Sequence, residues 1–276
     1  MFDRRDVIYC YDGSFDGLMC CVFDSYVHRE IPCAIAVGEP EQLSLNEIRS
    51  IVTDRGHSAR VTAAVAGKIS VEALVFIKKA FLSFAEDKDL NILVFVHKGL
   101  EFGSRIEKML ADDTVNALNK AVFHCEHEAH LLTGFVRFSD FGGFLAAVIS
   151  PKNKVIPLLA DHFADRFGGE DLFIYDNIHR MALVYCRRRA EILENIDFEM
   201  PPAGEEELGF RKLWREFYNA IGIEERYNPR CRMTHMPKRF WENMTEMQAN
   251  DPVLQKNLPG NSLAAAKFLP AGKLHS

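Results

Sequence analysis

Most of the signatures that would assign a reaction are missing from these 276 residues. There is no G-x-x-x-x-G-K-[ST] run, hence no loop whose amides and lysine would cradle a nucleotide's phosphates. No G-x-G-x-x-G follows a strand-like segment, which leaves a dinucleotide fold unsupported, and no G-x-S-x-G nucleophile elbow occurs. A triple-cysteine iron–sulfur motif is absent, so the chain is not itself a radical-SAM enzyme, and the H-x-E…P-C-x-x-C pattern of zinc deaminases is absent too. The seven cysteines form no C-x-x-C pair and no regular spacing, which reads as reduced thiols in a cytoplasmic protein. Apolar runs are short. Asn91–Val96 (NILVFV) is the longest strongly apolar patch, far below the roughly 20 residues of a membrane-spanning helix. Met1–Asp6 is followed only by Val7–Tyr11, which does not read as a signal peptide, so no membrane association is expected. A net charge of −6 argues against a protein that coats nucleic acid over its whole surface, and any polyanion contact has to be local.

Such a local feature is present. Arg211–Phe240 carries eight Lys/Arg against three acids, a formal +5, so the rest of the chain stands at −11. Trp214, Phe217, Tyr218, Tyr227, Phe240 and Trp241 are interleaved with those cations or adjoin them. Cations neutralise phosphates and release counterions, and aromatic faces stack on bases. The same composition also describes an amphipathic helix whose basic face meets only water. In that helix, Leu208–Ile221, the spacing of Leu213, Trp214, Phe217, Tyr218 and Ile221 makes Trp214 and Phe217 the expected buried face.

Along the chain the pattern predicts an α+β fold. Val7–Tyr11 reads as a strand, Asp12-Gly13-Ser14 as a turn and Gly17–Arg29 as a helix, with a short strand at Ile35–Val37. Leu45–Ala111 reads as mostly helical, including Ser58–Ala66 and Val71–Phe84 capped by Ser70; Asn91–Lys98 fits either period. Asp113 is the expected cap of a long helix, Thr114–Thr133. Then Phe135–Phe138 and Gly143–Ile149 read as antiparallel strands, Val155–Phe167 as a helix, and Leu172–Tyr175 with Met181–Cys186 as a hairpin. The expected organisation is therefore a helix-rich N-terminal half, a small antiparallel sheet with a crossover helix, and a helical basic C-terminal segment. The boundaries read as an α+β core over 1–189, an acidic linker over 190–210, the basic aromatic segment over 211–248 packed on the core, and a loosely ordered tail over 249–276. Ala190–Phe210 contains seven acids, no Lys/Arg and the run Pro201-Pro202-Ala203-Gly204, which is linker composition. Asn228-Pro229 reads as a turn, and Pro237–Met247 as the start of a last helix.

Several residues carry possible chemistry. His124, His127 and His130 share a helix face at intervals of three, as zinc-binding imidazoles can, although the usual H-E-x-x-H spacing is absent. The alternative is the polar surface of a long helix, and no metal or other cofactor is expected. His162 and Asp176, with Asp12 and Glu128, are candidates for acid–base work. Capping and local ion pairing is the plainer account of each.

Specific motifs resemble a bacterial family of DNA-repair or DNA-metabolism proteins without a defined activity. They are Tyr11–Leu18 (YDGSFDGL), Gly134–Phe138 (GFVRF), Ile156–Phe167 (IPLLADHFADRF) with Ile174-Tyr175-Asp176, Leu213-Trp214-Arg215, Ile223–Arg230 (IEERYNPR), His235–Trp241 (HMPKRFW) and Met244-Thr245-Glu246. The resemblance runs over roughly Val7–Met247. It implies a radical-SAM partner that modifies DNA, and in some chains a fused uracil-DNA-glycosylase-like domain, for which Asn250–Ser276 is too short. It favours DNA contact through Arg226, Tyr227, Arg230, Arg232, Lys238, Arg239 and Trp241, with Arg137, Arg166 and Arg180 as weaker candidates from the core. Three functions follow: a DNA-binding accessory protein, a hydrolytic DNA-processing enzyme, or a protein-binding scaffold. The first is the preferred expectation. The enzyme requires His162, Asp176, Asp12 or Glu128 to converge, and the scaffold requires the basic segment to meet acids such as Glu205–Glu207.

Overall fold

Asp3–Tyr11 (β1) is the central strand of a parallel sheet, and its C-terminal half is buried because neighbours cover it on both edges. Glu30–Val37 (β2) lies on one side and Glu47–Ser50 (β3) on the other, both parallel to β1. Phe15–His28 (α1) makes the β1-to-β2 crossover that parallel pairing requires. Ser14 caps α1, its hydroxyl accepting the Gly17 N–H at 2.9 Å. Residue 17 must be glycine here, since a Cβ would lie 2.3 Å from Asp12 Oδ1 and 2.8 Å from Thr53 Oγ1. The computed structural model describes residues 2–38, 46–221 and 228–248.

Helices Arg55–Lys68 (α2), Val71–Leu82 (α3), Lys88–Phe102 (α4) and Asp113–Phe135 (α5) complete the first half. Their starts follow the expected chemistry: Asp54, Ser70 and Asp112 each accept a backbone N–H from the first turn. The cap of α5 is Asp112, one residue before the Asp113 read from sequence. The ambiguous Asn91–Lys98 run is helical, because Ile92, Leu93, Phe95 and Val96 are all buried between neighbouring helices and no strand edge is offered to them. At 23 residues, α5 is about 34 Å long and joins two cores. Its Val115, Leu118 and Val122 sit in the first, and Ala129 and Leu132 in the second.

The second core lies beneath a five-stranded sheet ordered β4-β5-β6-β7-β8. The strands are Ser139–Asp140 (β4), Phe144–Ile149 (β5), Asp171–Asp176 (β6), Met181–Cys186 (β7) and Arg189–Leu193 (β8). Ile156–Arg166 (α6) is the crossover that lets β5 and β6 run parallel; the other pairings are antiparallel. Glu205–Ala220 (α7), Pro229–His235 (α8) and a 3-10 turn at Lys238–Asn243 follow.

The fold is α+β, and several local expectations change in detail. Within the stretch read as mostly helical, Glu47–Ser50 is a strand, because β1 presents an open edge that only a distant segment can fill. Phe135–Phe138 is not a strand: α5 runs through Phe135, and only Ser139–Asp140 pairs with β5. Arg189–Leu193 forms an exposed edge strand at the start of the acidic stretch, reached through a two-residue turn in which Arg187 and Arg188 both have positive φ (51° and 63°). The last helix is a six-residue 3-10 turn. Trp214 and Phe217 are not the buried face of α7. They are 41 % and 53 % exposed, and the helix instead turns Glu207 inward.

Candidate nucleic-acid interface

The basic C-terminal segment is held on the second core partly by apolar burial. Phe240 and Met244 are buried there, and Phe240 meets Phe135 with ring centroids 5.4 Å apart. The rest of the attachment is ionic. Arg137 clamps Glu246 through two hydrogen bonds, at 3.1 and 2.5 Å, and its guanidinium lies 5.7 Å from the Trp214 ring. Trp214 Nε1 donates to the same carboxylate at 3.0 Å. Burial opposes ionisation of Glu246, but the hydrogen bonds from Arg137, the backbone and Trp214 outweigh it and hold its pKa below the usual value. Arg239 pairs with Glu128 at 3.2 Å, and Arg211 with Glu207 at 2.7 Å. Arg211 also donates to Ser139, while Glu207 accepts the Asp140 N–H. A polar cavity of about 180 Å³ opens between these clamps, lined by Arg137, Ser139, Arg211, Asn243 and Gln248 among others.

Arg230 and Lys238 are exposed on this segment, and Arg232 is half-buried. Trp241 is half-buried, with its Nε1 bonded to the Met236 carbonyl at 2.9 Å. Arg232 and Lys238 approach the Trp241 ring at 5.0 and 5.9 Å. Asn228 starts α8 by accepting the Cys231 N–H, with Pro229 in the first turn where its missing N–H costs nothing. This places Arg230 and Arg232 on a helix ordered by its own cap. Arg226 and Tyr227 lie outside the described residues. Arg166 sits on α6, 5.8 Å from the Phe167 ring, and Arg180 pairs with Asp197 across the surface.

Each of the acid–base candidates is engaged by its own neighbours. Asp12 accepts the Ser14 N–H and hydroxyl and the Thr53 hydroxyl. Burial opposes its charge, and those three donors lower its pKa nonetheless. Asp176, fully buried, accepts the N–H groups of Ile178 and His179 and binds His179 Nδ1 at 2.7 Å. Glu128 accepts Lys152 N, Asn153 N and Asn153 Nδ2, in addition to its pair with Arg239. His162 is exposed on α6, edge-on to Phe163. Each carboxylate is thus committed to its own turn or clamp. His124, His127 and His130 are exposed on α5, and among the described residues no group of three or more His, Cys, Asp or Glu is placed to hold a metal ion. No described helix is long and apolar enough to cross a membrane.

Sequence reasoning missed the clamping role of Glu128 and Glu246, whereas Glu207 is one of the acids it named as able to meet the basic segment. Glu128 and Glu246 lie 111 and 109 residues from their arginines, and only Glu207, four residues from Arg211, leaves a local signal at i, i+4. Comparison with curated proteins gives no match. The segment that carries all three clamps does have a counterpart, for residues 86–246, more than half of the chain, match the family described as Domain of unknown function (DUF4130), and the protein belongs to that family.

Proposed function

We propose that this protein binds DNA through its C-terminal segment and acts as an accessory to an enzyme of DNA repair or DNA metabolism, of the radical-SAM or glycosylase type. One observation carries the reading: Trp241 stands beside Arg232 and Lys238, with Arg230 exposed on the same ordered segment. Cations there meet phosphates, and the indole meets an exposed base. The local engagement of Asp12, Glu128 and Asp176 weighs against a hydrolytic enzyme built on them. A cytoplasmic location agrees with the absence of any disulfide among the described cysteines.

Fluorescence anisotropy with labelled single-stranded, duplex and uracil-containing DNA over a salt series tests this, with the DNA checked for cleavage afterwards. The expected result is binding that weakens steeply with salt, leaves the DNA intact, and is lost with Arg230→Ala/Lys238→Ala. Binding unaffected by that double change would remove the assignment.

A protein-facing role for α7 is a second reading. Its Leu213, Phe217 and Ile221 are exposed on one stripe, flanked by Lys212 and Arg215, and Glu207 is paired with Arg211. Leu213→Asp/Phe217→Asp should leave DNA binding unchanged while abolishing co-purification with a partner enzyme.

A further inference from the structure

A second group of cations lies outside the C-terminal segment, where the two cores meet. Lys78 Nζ stands 5.9 Å from the Phe15 ring, and Lys88 and Lys154 stand 5.1 and 5.7 Å from the Phe81 ring. Lys152 is 5.5 Å from Phe84, and the Phe15 and Phe81 rings meet edge to face at 5.5 Å. These lysines come from three separate segments of the chain. Lys88 has an internal task, donating to the carbonyls of Phe81 and Ser83 at 2.7 and 2.6 Å. Burial lowers its pKa, and the neighbouring Lys154 charge adds to that effect, so the two ammonium groups feel each other. By contrast, Lys78, Lys152 and Lys154 form no ion pair and donate no side-chain hydrogen bond among the described residues. The carboxylate that acts on both Lys88 and Lys154 is Asp89, which is buried and takes the Tyr11 hydroxyl at 2.9 Å. Phe84 is 58 % exposed.

This group is joined to the C-terminal segment through one buried carboxylate. Glu128 Oε1 accepts the Lys152 N–H at 3.2 Å and pairs with Arg239 Nη2 at the same distance. Its Oε2 holds the Asn153 N–H and side-chain amide, and Asn153 Oδ1 in turn accepts the Phe84 N–H at 3.0 Å. Phe84, Lys152 and Arg239 are therefore fixed around a single Glu128–Asn153 pair, and Lys238 and Trp241 follow directly on Arg239.

We propose that Lys78, Lys152, Lys154 and Phe84 continue the surface of Arg230, Lys238 and Trp241 into one track, and that this track carries a single strand of DNA, with Phe84 stacking on a base. The proposal rests on the DNA-binding reading of the C-terminal segment and names its substrate as unpaired strand. Ammonium groups that face aromatic rings and form no ion pair among the described residues serve the phosphates. An exposed ring between them serves bases, which a duplex keeps stacked inside.

The test measures anisotropy of a labelled oligo-dT strand and of a duplex of equal length with the full chain, over a salt series. Four proteins are compared: the unaltered chain, Arg230→Ala/Lys238→Ala, Lys78→Ala/Lys152→Ala/Lys154→Ala and Phe84→Ala, each checked for an unchanged melting curve. The triple change is expected to weaken strand binding at least tenfold and to flatten the log–log salt slope by about 2, near 0.7 per lost cation on single strands. Phe84→Ala should weaken strand binding at least fivefold with the slope kept, and leave duplex binding alone. If the triple and Phe84 variants bind the strand like the unaltered chain while Arg230→Ala/Lys238→Ala does not, the track is wrong and the C-terminal reading stands. If the unaltered chain fails to bind the strand even at low salt, both fall together.

Discussion

The two cores joined by α5 are closed by different means. Around β1, the first is almost wholly apolar, with Leu18, Val65, Ile77, Leu93, Phe95 and Leu118 drawn from five helices. Tyr11 meets Asp89 and Ser25 meets His97, and its buried glutamate, Glu30, takes the Tyr9 hydroxyl together with Arg49 at the sheet edge. The second core has apolar strands and α6 at its centre, but its outer segment is fastened by three inward-facing glutamates. Glu128, Glu207 and Glu246 are 2 %, 8 % and 2 % exposed, and each takes an arginine that is more open to water. An acid already buried and hydrogen-bonded by backbone amides makes such a pin specific, because removing one partner leaves a charge without compensation. The consequence for function is direct. Arg137, Arg211 and Arg239 pair their charge with inward-facing carboxylates, so a count of basic residues overstates what is left for a polyanion.

The contrast can be broken at its apolar end first. Leu93→Ala in the first core should cost about 3–4 kcal/mol in urea unfolding, within the range for buried leucines that leave a cavity. A loss below about 1 kcal/mol would mean that core relaxes around the hole and is not closely packed.

Next in size is a pH effect confined to the first core. His97 is buried against Ser25 and stacked on Tyr26 at 4.1 Å, and burial lowers its pKa from 6.5 to about 4. The unfolded chain accepts a proton near pH 6.5 that the folded protein refuses until about pH 4. Stability should therefore fall as pH drops through that window, by up to about 3 kcal/mol. His97→Gln, which keeps a partner for Ser25 without titrating, should flatten this part of the profile. An identical profile in both proteins would dismiss the effect.

The ionic pins come third. Glu128→Gln keeps the shape but removes the charge facing Arg239 and two backbone amides, and should cost about 2–3 kcal/mol. It should also release the Lys238–Trp241 segment, read as faster amide exchange at Phe240 and Trp241 with the first core unchanged. Equal exchange would mean that Phe240 and Met244 hold the segment without help.

The smallest effect is expected on α7. Phe217→Ser should alter stability by no more than about 0.5 kcal/mol, since the side chain is already in water. A larger loss would show that the stripe is covered in solution.

Much of the fold was legible because it rests on short-range chemistry. Ser14 and Ser70 start helices through bonds that reach only three residues ahead, and α3 and α6 bury residues at helical spacing. The missed strands have the opposite character. β3 exists because β1 has an edge to fill, and β8 because two left-handed arginines make a turn that Asn-Gly usually signals. At the site, the sequence alone located the basic aromatic segment and its motifs within a family whose match ends at residue 246. Which of its cations face outward was decided by tertiary structure, since Glu128 and Glu246 meet arginines more than a hundred residues away. The same holds for the Phe84 lysines, which come from separate elements and carry no local pattern. Charge along a chain is a property of composition, but available charge is what remains after the fold has paired it.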